Sequence, residues 1–370
     1  MKFECSSSDL FKALTIATKS LPARSENKVL DGVFLKTVDN SIFLHCSDGN
    51  FAIETSLSAV IHSNGSVVLP AKLFREIVQK LPEGIVTIEV KENYITSIRC
   101  NRNSSTLIGF DAASFPQVKD RILSHGYHFP QKNLKNMIQK VMFAIALNDS
   151  RQVLTGCLME LTTNELRLVG LDGFKLSVQS YKSDFVLQDG VEQIKVIIPG
   201  HIINEVASIM TGDNEMVTFH FDENRCMITM GETTIFSTLL AGKYIDYRQL
   251  IPSSWLSCVK TNQSELKDAL DRAGLIAKEG KNNIVRLEVV DDNIIVSASS
   301  EVGDVVEKVS AKLEGEAVKL AFNNRYISEV IKNVDDEEIK LLFNSSMNPC
   351  VISSANNDDY LYLVLPVRVH

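Results

Sequence analysis

The chain has 370 residues, of which 45% are apolar and 23% charged, with a formal net charge of −8. That length allows two or three domains with sizeable cores, and the apolar share excludes an intrinsically disordered chain. Its longest apolar runs, such as 141–147 and 361–367, fall far short of the roughly 20 residues a membrane helix needs.

Residues 1–5 lack the apolar stretch of a secretory signal, so a cytoplasmic chain with no membrane partner is expected. The seven cysteines lie at least 32 residues apart and no CxxC or HxxxH occurs. Scattered cysteines fit buried free thiols and argue against a metal site. GxxxxGK[ST], GxGxxG and GxSxG are also missing, so neither a cofactor nor catalytic residues are expected.

In chain order, Leu10, Leu14, Ala17 and Leu21 recur at i, i+4, i+7 and i+11, predicting a helix over 8–20. Val68-Leu69-Pro70 leads into Phe74, Glu76 and Ile77, a second helix over 71–81 opened by proline. Period-two alternation over 85–90 breaks at Lys91-Glu92-Asn93 and resumes over 94–98, which reads as a hairpin.

The series then repeats. Leu134, Ile138, Val141 and Ile145 predict a helix over 131–143, and Ile197-Ile198-Pro199 leads into Ile203, Glu205 and Val206 over 200–210. A hairpin follows at 217–221 through Asp222-Glu223-Asn224. The third round has Leu266, Leu270, Ala273 and Ala277 on a helix over 263–278. A hairpin turns there at Asp291-Asp292-Asn293, and Tyr326, Glu329 and Val330 lie on a helix over 323–333.

The leading leucines are 124 and 132 residues apart and the glutamates 129 and 124 apart, so two markers agree on one period. The chain therefore reads as three homologous α+β domains, 1–121, 122–251 and 252–370, each with two helices and antiparallel sheet.

Those six helices carry a net +6, which leaves −14 for the rest of the chain. On the first helix of each domain the basic residues point away from the apolar stripe. A basic helical face on an otherwise acidic protein suits the phosphates of a duplex, read without regard to sequence.

Several motifs carry a resemblance over the whole length. They are Met1-Lys2-Phe3, Leu69-Pro70-Ala71-Lys72, Leu81-Pro82-Glu83-Gly84, Phe115-Pro116, Asp172-Gly173-Phe174-Lys175-Leu176, Asp246-Tyr247-Arg248 and the C-terminal run from Tyr360 to Arg368. In their order and spacing the chain resembles the bacterial DNA polymerase III β-subunit family, the replicative sliding clamps.

The resemblance implies a head-to-tail homodimer forming a six-domain ring around double-stranded DNA. The ring would tether the replicative polymerase α subunit, the clamp loader, and other polymerases and repair proteins carrying clamp-binding peptides. By the same resemblance, Arg24, Lys72 and Asn148 match DNA-contacting positions, while Gly200 and His201 stand where basic residues are usual; Lys12 and Lys135, on the outward basic faces of their helices, are expected to contact DNA as well. Leu107, Leu275 and Ile276 match the dimer interface.

A peptide pocket between the second and third domains is implied at Leu154, Leu171, Gly173, Phe174, Lys175, Leu176, Ile245, Gln249, Leu250, Leu363, Val364, Leu365, Pro366, Val367 and Arg368. Apolar anchors with a cationic rim suit a short peptide. Leu171, Phe174 and Ile245 replace the family's frequent threonine, histidine and proline, and Lys175 and Gln249 replace arginine, so this pocket is expected to be more apolar.

Two rival readings exist. Asp48 and Asp172 would be metal ligands in a nucleic-acid enzyme, but the third repeat has Ser300-Glu301 there and no histidine cluster supports either aspartate. Alternatively, the poor basicity of Gly200-His201 would suit a clamp-fold scaffold without DNA binding.

Overall fold

The computed structural model describes all residues except 23, 25, 26, 117–123, 213, 214, 346, 347, 369 and 370. The expected boundary between residues 121 and 122 therefore lies outside the described residues.

All six predicted helices form: α1 (Ser7–Ala17), α2 (Ala71–Gln79), α3 (Gln131–Met142), α4 (Gly200–Ile209), α5 (Gln263–Ala277) and α6 (Asn324–Lys332). Each starts at the residue after a strand ends, the strands being Lys2–Ser6, Ser66–Pro70, Gly126–Pro130, Ile194–Pro199, Ser257–Asn262 and Val318–Asn323. Two chemistries make this switch. Pro70, Pro130 and Pro199 close their strands without donating a hydrogen bond. Ser6, Asn262 and Asn323 instead cap α1, α5 and α6 by accepting from the backbone N–H of Asp9, Glu265 and Arg325.

The helices bury the predicted stripes, with one difference at their ends. Leu21 and Ile145 lie beyond α1 and α3. Helix α1 tightens into a 3₁₀ turn, Thr18–Ser20, where the Ser20 hydroxyl donates toward the carbonyls of Ala17 and Cys46 and ties the chain to the sheet.

The chain forms two compact units. The first comprises Met1–Lys132 and Glu205–Leu239, the second Asn133–Asn204 and Leu240–His370, so the central third contributes to both.

The first unit holds two antiparallel sheets. One has five strands in the order Val60–Ser63, Lys2–Ser6, Ile85–Val90, Ile95–Cys100, Asn103–Ile108. The other has eight strands, in which Phe51–Ser58 from the first third pairs with Thr233–Thr238 from the central third. Its main core packs Leu10, Leu14 and Ala17 of α1 and Phe74 and Val78 of α2 on Phe3, Leu35, Leu44 and Ile88. Each of the larger of these buried side chains, the leucines, isoleucine, valine and phenylalanines, contributes about 1.5–3 kcal/mol.

The second unit is built on a single twelve-stranded sheet, in which Lys175–Lys182 from the central third pairs with Tyr360–Val364 from the last third. Here α5 and α6 meet closely: a Cβ on Gly274 would lie 2.2 Å from the Asn324 side-chain Nδ2, so a larger residue would have to displace that side chain. We call the two inter-domain strand pairings the first and second seam.

Candidate functional site

The candidate peptide residues start from a turn. Asp172 Oδ1 accepts from the backbone N–H of Phe174 (2.9 Å) and Lys175 (2.8 Å), and Gly173 supplies φ of +86°. Asp48 does the same for Asn50 and Phe51, with Gly49 at φ +101°. Both carboxylates postulated as metal ligands thus shape turns. Among the described residues no group of three or more His, Cys, Asp or Glu is placed to hold a metal ion.

Lys175 differs from expectation. In place of an exposed rim cation it is 4% exposed, and its ammonium pairs with Glu329 and with Asp172 at 3.3 Å. It also lies 5.2 Å from the Tyr326 ring centroid and 5.6 Å from that of Phe143. Burial pushes the Glu329 carboxyl up, but hydrogen bonds from Lys175 and Arg325 hold it below the usual range. Sequence reasoning missed this network because Glu329 lies 154 positions away. Phe174 stacks on Tyr326 at 5.0 Å and stays half exposed.

Leu154, Leu171, Leu176 and Leu363 are buried in one cluster against which Ile245 packs, and Val364 is buried in the adjoining core. Leu365 donates its backbone N–H to the Phe174 carbonyl (3.0 Å), and Val367 donates to Ala321 (2.7 Å). Leu250, Leu365, Gln249 and Arg368 are exposed, while Pro366 is half-buried. The Gln249 amide is held by Asp246 at 3.0 Å. The set therefore has a buried apolar floor beneath an exposed edge of Phe174, Leu250 and Leu365.

A separate cavity of about 630 Å³ in the second unit shares only Ile245 with that set. Its wall includes Glu160, whose carboxylate accepts from Tyr247 Oη (2.8 Å) and Arg248 Nη2 (2.6 Å) and pairs with Lys195 (3.2 Å). Burial raises the Glu160 carboxyl, and the bonds from Arg248 and Tyr247 more than reverse that, lowering it below the usual range. Burial and Glu160 push the Tyr247 hydroxyl up to about 12. Asp246-Tyr247-Arg248 is thus a structural anchor for the segment that carries Ile245, Gln249 and Leu250.

Of the candidate DNA contacts, Arg24 and Lys72 are exposed in the first unit, as is Lys12, which pairs with Asp9 at 3.5 Å. Asn148 is exposed and Lys135 half-buried in the second unit. Not every helix lysine is presented outward as expected: Lys19 pairs with Glu205 at 2.8 Å and Lys140 with Asp335.

Of the candidate interface residues, Leu275 is 59% exposed and Ile276 packs partly on the core of α5 and α6. Leu107, by contrast, is 6% exposed and belongs to the first unit's core. Leu107 sits on Asn103–Ile108, which ends the five-stranded sheet with an unpaired edge among the described residues. In the second unit, Gly303–Gly315 pairs on one side with Asn293–Ser300 and only over 311–315 with Ser257–Asn262. This leaves 303–309 open on the other side among the described residues. Ile108, Val302 and Val306 are each about 70% exposed on these two strands and the adjoining turn.

Three family models match the chain: the N-terminal domain of the DNA polymerase III β subunit over residues 1–119, its central domain over 128–246 and its C-terminal domain over 248–368. A β sliding clamp of Bacillus subtilis is 31% identical over 381 residues and one of Staphylococcus aureus 30% over 380, both covering each chain in full. A crystal structure of the Bacillus subtilis DNA polymerase sliding clamp superposes with a TM-score of 0.95 at 30% identity over the full length of both chains. A Pseudomonas aeruginosa sliding clamp bound to griselimycin superposes at 0.92 with 25% identity, again over both full lengths. The chain therefore belongs to the DNA polymerase III β-subunit family, the sliding clamps, as a non-catalytic processivity factor built from three tandem clamp domains.

Proposed function

We propose that two copies close head to tail into a six-domain ring that encircles duplex DNA in the cytoplasm and tethers the replicative polymerase. The observation that carries this reading is a shared register. In the first seam Phe51 lies opposite Ser237 and Thr55 opposite Thr233. In the second, Lys175 lies opposite Val364 and Gln179 opposite Tyr360.

Phe51 and Lys175 both stand three residues after the aspartate of the repeated Asp-Gly turn, so the two pairings are equivalent. Applied once more, the same rule sets the open edge 303–307 of one copy against 107–103 of the next: Gly303 opposite Leu107, Glu307 opposite Asn103. Two such contacts close a ring, since each copy offers one edge of each kind. The position nine residues after each leading leucine supports this: Lys19 and Phe143 face the next domain, contacting Glu205 and Tyr362, whereas Leu275 is uncovered.

In this reading Lys12, Arg24, Lys72, Lys135 and Asn148 meet duplex phosphates. The floor of Leu154, Leu171, Leu176 and Leu363, edged by Phe174, Leu250 and Leu365, takes an apolar anchor of a clamp-binding peptide. Its presenters would be the polymerase α subunit, the clamp loader, other polymerases and repair proteins. The test is retention on nicked circular duplex, with release on linearisation. Charge reversal of Lys12, Arg24, Lys72 and Lys135 together is expected to abolish retention while leaving the dimer intact. Unchanged retention contradicts the assignment.

A further inference from the structure

The second helix of each domain carries a glutamate as its sixth residue: Glu76 in α2, Glu205 in α4 and Glu329 in α6. Two of the three reach back to a lysine of the preceding domain, Glu205 to Lys19 and Glu329 to Lys175. Both are half-buried by that contact. Glu76 is exposed, and among the described residues its carboxylate takes part in no ion pair or hydrogen bond. On the same helix, Arg75 leaves its Nε buried without a partner among the described residues.

We infer that Glu76 forms the third ion pair of this series, with Lys278 of a second copy of the chain. This rests on the ring reading above and adds to it the charge contact that locks the intermolecular seam. In the domain order, what precedes the first domain in a head-to-tail ring is the third domain of the other copy.

The end of α5 is the part of that domain equivalent to Lys19, since Leu275 occupies the same repeat position as Lys19 and is exposed. The cations flanking Leu275 on α5 and at its C-terminal end differ in their pairing. Arg272 is held by Glu307 and Lys267 by Asp268, whereas Lys278, three residues beyond Leu275, is exposed with no side-chain partner among the described residues. An unmatched anion and an unmatched cation thus stand at the two places the repeat brings together. Charge pairs across an interface set register and reject wrong partners more than they add affinity.

The experiment measures the dimer dissociation constant of the full chain by sedimentation velocity, with melting curves as a folding control. Glu76→Lys and Lys278→Glu are each expected to weaken the dimer about tenfold or more, and the double charge swap to recover it to within about threefold. Glu76→Gln, which keeps the shape, is expected to weaken it less and to flatten its dependence on salt. A wild-type dimer whose constant is unmoved by either reversal, or a double variant no better than the weaker single one, overturns the ion pair and leaves the ring standing. A wild-type chain that stays monomeric at micromolar concentration overturns both.

Discussion

The first and second seams share a backbone ladder and register but are filled by different chemistry. At the first, the ladder is lined by Ile53, Ile235 and a hydroxyl pair, Thr55 with Thr233 at 3.0 Å. One strand in from the seam, His45 packs against Phe43 and Phe115, with Glu54 of the seam strand 3.7 Å away. At the second, the Lys175 side chain lies between two carboxylates and two aromatic rings, and Phe143 packs on Tyr362. Both joins are thus made by strand pairing in the same register, while the side chains across them differ. That is the physical basis for extending the ladder to a third, intermolecular seam whose side chains differ again.

Unpairing the second seam has the largest expected effect. Lys175→Met strands Glu329 with only Arg325, and a loss of about 3–5 kcal/mol in denaturant unfolding is expected, as when one partner of a buried pair is removed. A loss below about 1 kcal/mol would show the pair is not what holds that join.

The next effect depends on pH. Burial lowers His45 to about 4 from its ordinary 6.5, so the unfolded chain takes up a proton between those values that the folded chain does not. Stability is therefore unaffected by this group above pH 6.5 and falls on the order of 3 kcal/mol by pH 4. Glu329, held low, also loses its contribution as pH falls, so acid weakens the ion pair of the second seam. His45→Leu is expected to flatten the decline between pH 6.5 and 4, as read by the melting temperature. An unchanged slope would remove His45 from the account.

The smallest effect belongs to the half-exposed pair of the first seam. Lys19→Ala is expected to cost about 0.5 kcal/mol, because such pairs gain little over hydration. Comparison with Lys175→Met then measures how far burial, and not charge alone, separates the seams.

The six helices were legible because the stripes led by Leu10, Leu134 and Leu266 and the prolines or caps before α2, α4 and α6 are local signals. The turns at Asp48-Gly49 and Asp172-Gly173 were legible for the same reason. The seams were not. Thr233–Thr238 and Tyr360–Val364 owe their partners to strands 178 and 181 residues away, as Thr55 opposite Thr233 and Gln179 opposite Tyr360 show, and periodicity carries no such information. The division of the central third between two compact units follows from these pairings and leaves no mark in composition. Lys175 read as a surface cation because its acid lies on α6, 154 positions away.

The most direct test of the third seam is a cross-link placed by its register. Cysteines at Asn103 and Glu307 occupy the positions of Thr233 and Thr55, whose side chains touch in the first seam. Mild oxidation of the full chain carrying both is predicted to give a covalent dimer at twice the chain mass on a denaturing gel. A chain that stays monomeric, or one that cross-links as well when the second cysteine is moved to Val306, would contradict the account.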